Sequence, residues 1–382
     1  MVRRTRIRWL ACLVAAFALL AAACSDDDDG GGAADGDGTE EAAGTGGGGG
    51  EGGLLREVQD RGQLQCGVND QVPGFGLVDE EGEFSGFDID YCRAVAAAVL
   101  GDADAVEFTP LTAETRFTAL QAGDIDVLIR NTTWTSTRDG TENSRFLLTT
   151  FYDGQGMMVN ADSDFQSIAD MDGTTICVLS GTTTELNLST AAAQAGVDIE
   201  PLVFDDNEQI QPAFEAGQCQ GWTSDKSQLA GVRSAWPDGQ GGPEALRVLE
   251  ETYSKEPLGP VVLDGDDEWA DAVNWAIIAT IQAEEFEITS DNVEEMTGSD
   301  NLDILRFLGQ PFPDPDDPGS EAPPLDAGLG LDPDFAVNVI SQVGNYAEIY
   351  DRNVGPDTAL GLERGVNALW TDGGLLYPPP YR

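Results

Sequence analysis

Histidine is absent from all 382 residues of the chain. Without an imidazole, the chain cannot form a Ser-His-Asp triad, a catalytic Cys-His pair or an HExxH zinc motif, and it has no histidine general base. Its six cysteines do not follow the spacing of a metal site. Acid–base chemistry by paired carboxylates stays open, although among 69 acidic residues such pairs arise by chance. We therefore expect no metal, no cofactor and no catalytic residue.

Basic side chains are also few. The chain has 19 lysines and arginines against 69 aspartates and glutamates, which gives a net charge of −50. A surface of this sign repels phosphate backbones, and this excludes nucleic acid as a partner. Because the acidic residues occur all along the chain, we interpret them as solvated surface and not as one acidic site.

The N-terminal segment has the composition of an export signal. Four arginines lie within the first eight residues, and an uncharged stretch from Trp9 to Ala23 follows. A helix of this length reaches roughly 22 Å, less than the roughly 30 Å of a bilayer core, which favours a signal peptide over 1–23 and leaves a signal anchor as the alternative. Residues 20–24 resemble a bacterial lipobox with Ala21 where leucine is usual. The resemblance implies that Cys24 is lipidated and becomes the mature N-terminus.

Residues 24–53 contain no aromatic and no large aliphatic side chain. A run of glycine, alanine, aspartate and glutamate of this kind cannot bury a core. As a flexible chain it spans on the order of 30 Å, enough to hold a folded body away from a membrane. We therefore expect an extracytoplasmic protein, in the periplasm or at the cell surface, tethered to the membrane through its N-terminal lipid.

Short apolar runs alternate with helical patterns from Leu54 onward. Strands are predicted at 63–68, 106–109 and 127–129. Apolar positions spaced three and four apart from Ile89 to Val99 predict a helix, and a second helix is expected from about Ala113 to Gly123. Strand, helix and strand in this order predict a parallel sheet.

A second series of the same kind follows Phe151. Strands are predicted at 175–179, 201–204 and 221–225 and helices at 183–195, 208–216 and 226–235, with a kink at Pro212. The segment 254–262 is interpreted as the return crossing, because a long helix with an apolar face from Trp269 to Ile281 comes after it.

The two series predict an α/β fold of two similar lobes. The first lobe is expected to comprise 54–152 together with 256–382, including a C-terminal extension, and the second 153–255. Residues 310–330 are predicted to form an acidic surface loop, and 335–353 to be helical.

Four cysteines remain once Cys12 of the signal segment and Cys24 are set aside. An even remainder in an exported protein indicates disulfides. Two of these cysteines fall in each predicted lobe, so we expect the pairs Cys66–Cys92 and Cys177–Cys219.

The run from Gly123 to Arg138 is the most informative stretch for function, because an apolar strand opens there into hydroxyls, an amide and a guanidinium. Arginine presents a fork of donors that matches a carboxylate. Asn131, Thr133 and Thr135 alternate along an extended chain and are expected to line one face beside Arg138. The alternative is a surface loop with an exposed arginine.

Two further segments follow predicted strands, where ligands of open α/β sheets bind. Thr182 and Thr183 begin a helix after Gly181, and the free N–H groups of a first helical turn suit an anion. Asp225 ends a strand and would suit an ammonium group. The alternatives are that Thr182 serves only as a helix cap, and that Asp225 caps the helix beginning at Lys226.

Several multi-residue blocks occur in the order typical of one family: QCGVN at 65–69, GFDIDYCR at 86–93, RFTALQ at 116–121, RNTTWT at 130–135, GTTTELN at 181–187 and SKEPLGP at 254–260. On these blocks the chain resembles the extracytoplasmic solute-binding proteins of polar amino acid ABC importers, above all the general L-amino acid-binding subgroup. The resemblance implies a two-lobed periplasmic-binding-protein-like fold of type II, with a hinged cleft that closes on one amino acid.

The resemblance also implies the roles of the site residues. The arginine matching Arg138 binds the ligand's α-carboxylate, assisted by the groups matching Thr133 and the helix start at Thr182 and Thr183. The aspartate matching Asp225 binds the α-ammonium. An aromatic wall common in relatives falls near Val72, so the neighbouring Phe75 is named as a ligand contact.

We therefore expect a lipoprotein that captures L-amino acids, polar and of broad range, and passes them to an ABC importer permease. Two alternatives remain: a dehydratase-like enzyme on the same fold, for which Glu114 is the only nearby acid–base candidate, and an amino acid sensor for a separate signalling partner.

Overall fold

The computed structural model describes residues 53–314, 317 and 319–382 of the chain. The predicted signal peptide, Cys24 and the tether up to residue 52 lie outside these residues. Two five-stranded sheets carry most of the helices that are described. The predicted α/β class with two lobes is confirmed.

The strands, in chain order, are β1 Leu64–Val68, β2 Gln71–Val72, β3 Gly76–Val78, β4 Phe84–Ser85, β5 Val106–Pro110, β6 Val127–Leu128, β7 Ser144–Phe146, β8 Phe151–Asp153, β9 Gln155–Asn160, β10 Thr174–Leu179, β11 Ile199–Phe204, β12 Gly221–Asp225, β13 Leu246–Val248, β14 Glu256–Leu258, β15 Val261–Leu263, β16 Phe312–Pro313 and β17 Glu321–Ala322. The α-helices are α1 Gly53–Arg61, α2 Phe87–Leu100, α3 Arg116–Ala122, α4 Ser136–Thr141, α5 Thr183–Ala195, α6 Asn207–Glu215, α7 Lys226–Ser234, α8 Asp267–Glu285, α9 Val293–Met296, α10 Leu302–Phe307, α11 Phe335–Gln342 and α12 Tyr346–Asn353.

The first sheet has the strand order β5-β1-β6-β15-β7. Strands β5, β1 and β6 are parallel, and β15 runs antiparallel to both of its neighbours. Helices α2 and α3 connect the parallel strands, as the alternation of patterns predicts. We call this sheet, the small sheet β2-β3-β4 and helices α1–α4 and α8–α12 lobe 1.

The second sheet repeats this arrangement with the order β11-β10-β12-β9-β13. Strands β11, β10 and β12 are parallel, while β9 is antiparallel to both β12 and β13. We call this sheet with helices α5–α7 lobe 2. The largest clusters of buried apolar side chains in the two lobes are separate, so each lobe has its own core.

The chain passes between the lobes at β8 and β14. These two strands pair with each other, antiparallel, with Tyr152 opposite Pro257 and Asp153 opposite Glu256, and Leu258 of β14 also forms a single bridge to Thr133. The crossings therefore form a two-stranded ribbon outside both large sheets. Asp153, at the end of β8, accepts a hydrogen bond from the start of α7, and Glu256, at the start of β14, accepts one from the start of α5.

Each lobe contains one disulfide, and the predicted pairs are confirmed. Cys66 on β1 is bonded to Cys92 on α2, and Cys177 on β10 to Cys219 before β12, over separations of 26 and 42 residues. Cross-links that close loops of this size stabilise a fold by about 3 to 4 kcal/mol in the chain-entropy model.

Helix α8 forms the centre of lobe 1. Its predicted apolar face, from Trp269 to Ile281, is fully buried. Asp266 caps the helix by accepting the backbone N–H of Trp269 at 3.0 Å, and the Trp269 indole donates to the carbonyl of Asp126 at 2.9 Å. The helix is therefore fixed both at its start and against the sheet.

Two segments differ from the predicted pattern. The helix expected over 335–353 is two helices, α11 and α12, because Gly344 has φ 99° and Asn345 then begins α12 with a capping box to Glu348. The predicted acidic loop contains the short pair β16–β17. Within the described residues, no helix has the length and apolar character needed to cross a membrane.

Candidate functional site

A cavity lies between the two lobes, where β10 and β12 of lobe 2 end and where the chain leaves β6 of lobe 1. Its volume is about 330 Å³ including its open mouth. Lobe 1 contributes Ala113, Arg116, Arg130, Asn131, Thr133 and Arg138, and lobe 2 contributes Leu179, Thr182, Thr183, Thr184, Ser224, Asp225 and Gln228. Six of the seven predicted ligand-binding residues line this cavity, and Phe75 does not.

Asn131 begins the lobe 1 wall just after β6. Its φ of 26° is in the left-handed region, which asparagine tolerates better than most residues, and its backbone N–H donates to Asp88 Oδ2 at 2.7 Å. This turn directs the Asn131 amide toward lobe 2, where Nδ2 donates to Gln228 Oε1 at 3.2 Å. The predicted even alternation of the strand therefore ends at this residue.

Arg138 comes from α4, a short helix that sequence patterns did not indicate. Thr135 was expected to share one face with Asn131 and Thr133, but it caps this helix by accepting the Arg138 N–H at 3.2 Å and does not line the cavity. The Arg138 guanidinium donates to the carbonyls of Thr133 at 2.9 Å and of Gly181, in lobe 2, at 3.3 Å. Burial lowers the pKa of Arg138 from its usual value.

The lobe 2 wall includes the N-terminus of α5. Thr182 caps the helix by accepting the N–H of Glu185 at 3.1 Å, as the alternative interpretation expected, yet it also lines the cavity. Thr183 donates its hydroxyl to Glu256 Oε2 at 2.7 Å, and its oxygen lies 3.4 Å from Thr133 Oγ1 of lobe 1. The first-turn N–H groups of α5 thus lie next to hydroxyls from both lobes.

Asp225 occupies the N-cap position of α7, but its side chain makes no capping hydrogen bond. Instead Asp153 of β8 accepts the N–H of Ser227 at 3.1 Å. Asp225 is 6% exposed, and its Oδ1 has no hydrogen-bond partner among the described residues. The capping role at α7 that was considered for Asp225 is therefore performed by Asp153, and the Asp225 carboxylate lines the cavity instead.

The charge on Asp225 is disfavoured in this setting. Burial raises its pKa well above the usual value, and the nearby carboxylates of Asp153 and Glu256 raise it further, against the opposing effect of Arg116 and Arg138. Burial also raises the pKa of Asp153, to about 6. A perturbed carboxylate in an interlobe cavity is typical of a functional group.

Sequence reasoning missed two arginines of the cavity. Arg116 on α3 is 3% exposed, and within the described residues its Nε has no partner. Arg130, which follows β6, donates from Nε to the carbonyl of Leu111 at 2.6 Å. Available clues were the position of Arg116 one helical turn before the core residue Leu120, and the placement of Arg130 directly after an apolar strand.

Glu256 was missed as well. It lies on β14, is 1% exposed, and accepts hydrogen bonds from Thr183 Oγ1 at 2.7 Å, from Asn187 Nδ2 at 3.0 Å and from the Ser254 hydroxyl. These bonds attach the start of α5 to the crossing ribbon. A glutamate within the apolar crossing segment 254–262 was the available clue.

A second cavity adjoins the first and shares Ala113, Arg130 and Leu179 with it. Its volume is about 450 Å³ including its mouth. Its remaining wall is mostly polar and acidic, formed by Asn69, Asp70, Gln71, Thr112, Asp205, Asp206 and Asn207 together with the apolar Pro110 and Leu111. In the part of the chain that the structure describes, no group of three or more acidic or cysteine side chains is arranged to hold a metal ion.

Phe75 lies in the core of lobe 1. It is 1% exposed, and its ring packs against Phe87 and Phe151 at centroid distances of 5.8 and 5.1 Å. The structure does not bring it to the cavity, because the short strands β2 and β3 turn its ring toward α2. Glu114, the acid–base candidate, is exposed and does not line the cavity.

The cavity can bind both ends of a small zwitterion. A guanidinium, hydroxyls and a helix N-terminus suit a carboxylate, and a buried aspartate suits an ammonium. Because these groups come from both lobes, one ligand would contact both.

Comparison with known proteins places the chain in a family. The model of the bacterial extracellular solute-binding proteins, family 3, matches residues 64–292. The general L-amino acid-binding periplasmic protein AapJ of Rhizobium johnstonii is 46% identical over 328 residues, which are 86% of this chain and 92% of that protein. The glutamate/glutamine/aspartate/asparagine-binding protein BztA of Rhodobacter capsulatus is 45% identical over 329 residues, 86% of this chain and 93% of BztA.

A solved structure is similar over the same extent. It is an ABC transporter periplasmic binding protein from Brucella ovis with glutathione bound, with a TM-score of 0.81 and 45% identity over 87% of this chain and 100% of that one. The family model spans more than half of the chain, and the relatives match over nearly their whole length. The chain therefore belongs to family 3 of the bacterial extracellular solute-binding proteins.

Proposed function

We propose that this protein binds L-amino acids with polar side chains, over a broad range, outside the cell and delivers them to the permease of an ABC transporter. The observation that carries the proposal is the opposition of Arg138 and Asp225 in one interlobe cavity. The relationship to AapJ and BztA, both amino acid-binding proteins, supports it.

In this proposal the ligand's α-carboxylate lies between Arg138, Thr133 and the first turn of α5 at Thr183. Its α-ammonium contacts Asp225, whose Oδ1 is buried and unpaired among the described residues. Asn131 donates from its amide at the rim. The ligand thereby supplies Asp225 with the charged partner that a buried carboxylate requires.

Binding is proposed to close the cleft. The lobe boundaries proposed for this motion are 54–152 with 256–382 for one body and 153–255 for the other, so that β8 and β14 form the hinge. Gly231 of α7 permits close approach of the lobes, since a Cβ there would lie 2.5 Å from the carbonyl oxygen of Pro73. A ligand that contacts both lobes stabilises the closed state through contacts that the open state lacks.

Delivery of a ligand fits this site better than catalysis. Glu114 is exposed and outside the cavity, and the buried Asp225 is already assigned to the ammonium. A sensor for a separate signalling partner would use the same ligand contacts. The relationship to an ABC transporter binding protein of Brucella ovis favours delivery to a permease.

Replacing Arg138 should weaken binding strongly. We expect Arg138→Ala to cost about 2 to 5 kcal/mol of binding free energy for L-glutamine, because the ligand's carboxylate then stays buried without its guanidinium. Arg138→Lys should also lose affinity, since a point charge does not replace the bidentate fork. Isothermal titration calorimetry measures both changes.

Arg145→Ala is the matched control, because Arg145 lies on β7 and pairs with Asp267 outside the cavity. Its affinity should equal that of the wild-type protein. Small-angle scattering should show a smaller radius of gyration when L-glutamine is added. Equal affinities in all four proteins, or no compaction, would contradict the proposed binding mode.

Affinity should depend on pH through Asp225. Because burial raises the pKa of Asp225 well above its usual value, the free protein binds a proton there over a wider pH range than an exposed aspartate does, and an incoming ammonium must displace that proton where it is bound. The association constant for L-glutamine should therefore rise as the pH increases through this raised pKa and level off above it. Calorimetry in buffers of different ionisation enthalpy measures the released proton.

Asp225→Asn should abolish this proton release. The result distinguishes Asp225, as the group that releases the proton, from Asp153 and Glu256, the other carboxylates that face it. The variant should bind L-glutamine weakly, yet bind the des-amino analogue of glutamine as well as the wild-type protein does. A variant that keeps full affinity for L-glutamine would rule out the ammonium contact.

A second candidate ligand is a small peptide such as glutathione. The adjoining cavity of about 450 Å³ shares Arg130 with the first and offers room for a ligand longer than one amino acid. The Brucella ovis relative has glutathione bound. In this alternative the γ-glutamyl end occupies the Arg138–Asp225 cavity, and the remainder extends past Arg130.

Reduced glutathione should then bind in calorimetry and displace L-glutamine. Gln71→Ala should weaken glutathione without changing L-glutamine, because Gln71 lines only the adjoining cavity. Absence of both binding and displacement would restrict the ligands to single amino acids.

Anchoring by a lipid on Cys24 is also proposed, from the arginine-rich start, the apolar stretch and the small residues before this cysteine. We expect the intact mass of the membrane-extracted protein to correspond to a chain that begins at a diacylated Cys24. Cys24→Ala should move the protein from the membrane fraction to the soluble fraction. A wild-type protein that begins downstream of Cys24 without lipid would exclude the anchor.

A further inference from the structure

The lobe 1 side of the cavity carries more positive charge than an amino acid backbone needs. Three guanidiniums, those of Arg116, Arg130 and Arg138, line the cavity, whereas Asp225 is the only carboxylate among its lining residues. In the proposed binding mode the ligand's carboxylate occupies Arg138 and its ammonium occupies Asp225. Two buried guanidiniums then remain beside the ligand's side chain.

Arg116 has unused hydrogen-bonding capacity. Arg116 is 3% exposed, its Nε has no partner in the described part of the chain, and Nη2 reaches the Gly181 carbonyl only at 3.5 Å. Burial, and then repulsion by Arg138 and Arg130, hold the pKa of Arg116 well below its usual value. A buried donor in this state gains from any acceptor that enters the cavity.

Arg130 is only partly balanced by neighbouring carboxylates. Its Nε donates to a backbone carbonyl, and its side chain is 7% exposed. Burial lowers its pKa to about 10, against the opposing effect of Asp88 and Asp70. Asp88 is itself buried, which raises its pKa to about 7, and it also accepts the backbone N–H of Asn131 at 2.7 Å.

We propose that Arg116, together with Arg130, binds a second carboxylate on the ligand, so that within the proposed broad range of polar amino acids the protein binds those with an acidic side chain most tightly. This inference rests on the proposed function, because it assigns the ligand's backbone to Arg138 and Asp225. Arg116 is the specificity-determining residue, since it faces the same cavity as Arg138 and has an unpaired donor there.

A purely structural role for Arg116 makes a different prediction. Its long hydrogen bond to Gly181 crosses from lobe 1 to lobe 2, so it could act as a latch that helps every ligand equally. A second anion-binding position helps only a ligand that has a second carboxylate. L-Glutamate and L-glutamine distinguish the two roles, because they have nearly the same shape and differ in side-chain charge.

The test is calorimetry of L-glutamate and L-glutamine with the wild-type protein and with Arg116→Gln, Arg116→Lys and Arg56→Gln. The wild-type protein should bind L-glutamate about tenfold or more tightly than L-glutamine, and Arg116→Gln should remove this preference by weakening L-glutamate alone. Arg116→Lys should keep part of the preference. Arg56→Gln, on the exposed face of α1, should behave as the wild-type protein.

Binding of L-glutamine by Arg116→Gln also reports that the variant is folded. If Arg116→Gln and Arg116→Lys each weaken the binding of both ligands equally, the inference is overturned in favour of a latch. A wild-type protein with no preference for L-glutamate would also overturn the inference. Both results leave the proposed function intact. If neither amino acid binds the wild-type protein, the proposed function fails and the inference fails with it.

Discussion

Both walls of the cavity are hydrogen-bonded to one crossing strand, β14. On the lobe 1 side, Trp134 donates its backbone N–H to the Pro257 carbonyl at 2.9 Å, and this pairing positions the adjacent Thr133. On the lobe 2 side, the buried carboxylate of Glu256 accepts from Thr183 at 2.7 Å and from Asn187 at 3.0 Å, so it fixes the N-terminus of α5. The cavity-lining segments of the two lobes are thus both held in position by neighbouring residues of the same short strand. A binding site assembled from two lobes needs such a shared support, because an error of about 1 Å in the position of either wall would separate its polar groups.

The charged groups of the site are held at a cost to the stability of the fold. Asp225 remains without a capping role because Asp153 caps α7 in its place, and burial then raises the pKa of Asp225 while it lowers those of Arg116 and Arg138. None of these shifts favours folding, since each records a charge that the buried setting disfavours. Two separate cores and a disulfide in each lobe offset this cost. Retention of poorly balanced charges in an otherwise well-packed protein is the pattern expected of a binding site.

The elements that sequence patterns predicted well are those with local causes. Helix α5 begins and ends as expected because Thr182 caps one end and Gly196, with φ 72°, ends the other. The features that could not be predicted depend on contacts between distant segments. Whether Asp225 caps α7 depends on the placement of Asp153, more than 70 residues earlier, and whether Arg116 faces solvent or the cavity depends on lobe 2. The assignment of Phe75 was made from an aromatic wall in relatives, but the tertiary packing of β2 and β3 places this ring in the core.

The hydrogen bonds that cross the cavity from one wall to the other are long, whereas the bond that attaches the lobe 2 wall to the hinge strand β14 is short. Asn131 reaches Gln228 at 3.2 Å, Arg138 reaches Gly181 at 3.3 Å and the hydroxyls of Thr133 and Thr183 are 3.4 Å apart, while Thr183 binds Glu256 at 2.7 Å. Bonds near the upper limit of the normal range contribute little, so the protein's own groups close the cleft only weakly. In the proposed binding mode, a zwitterion held between Arg138 and Asp225 adds charge-assisted bonds to both lobes, which are about twice as strong as neutral ones. In that mode closure depends on whether a molecule of the right charge lies between the lobes, and this is the property that a receptor needs if only its loaded form is to be recognised.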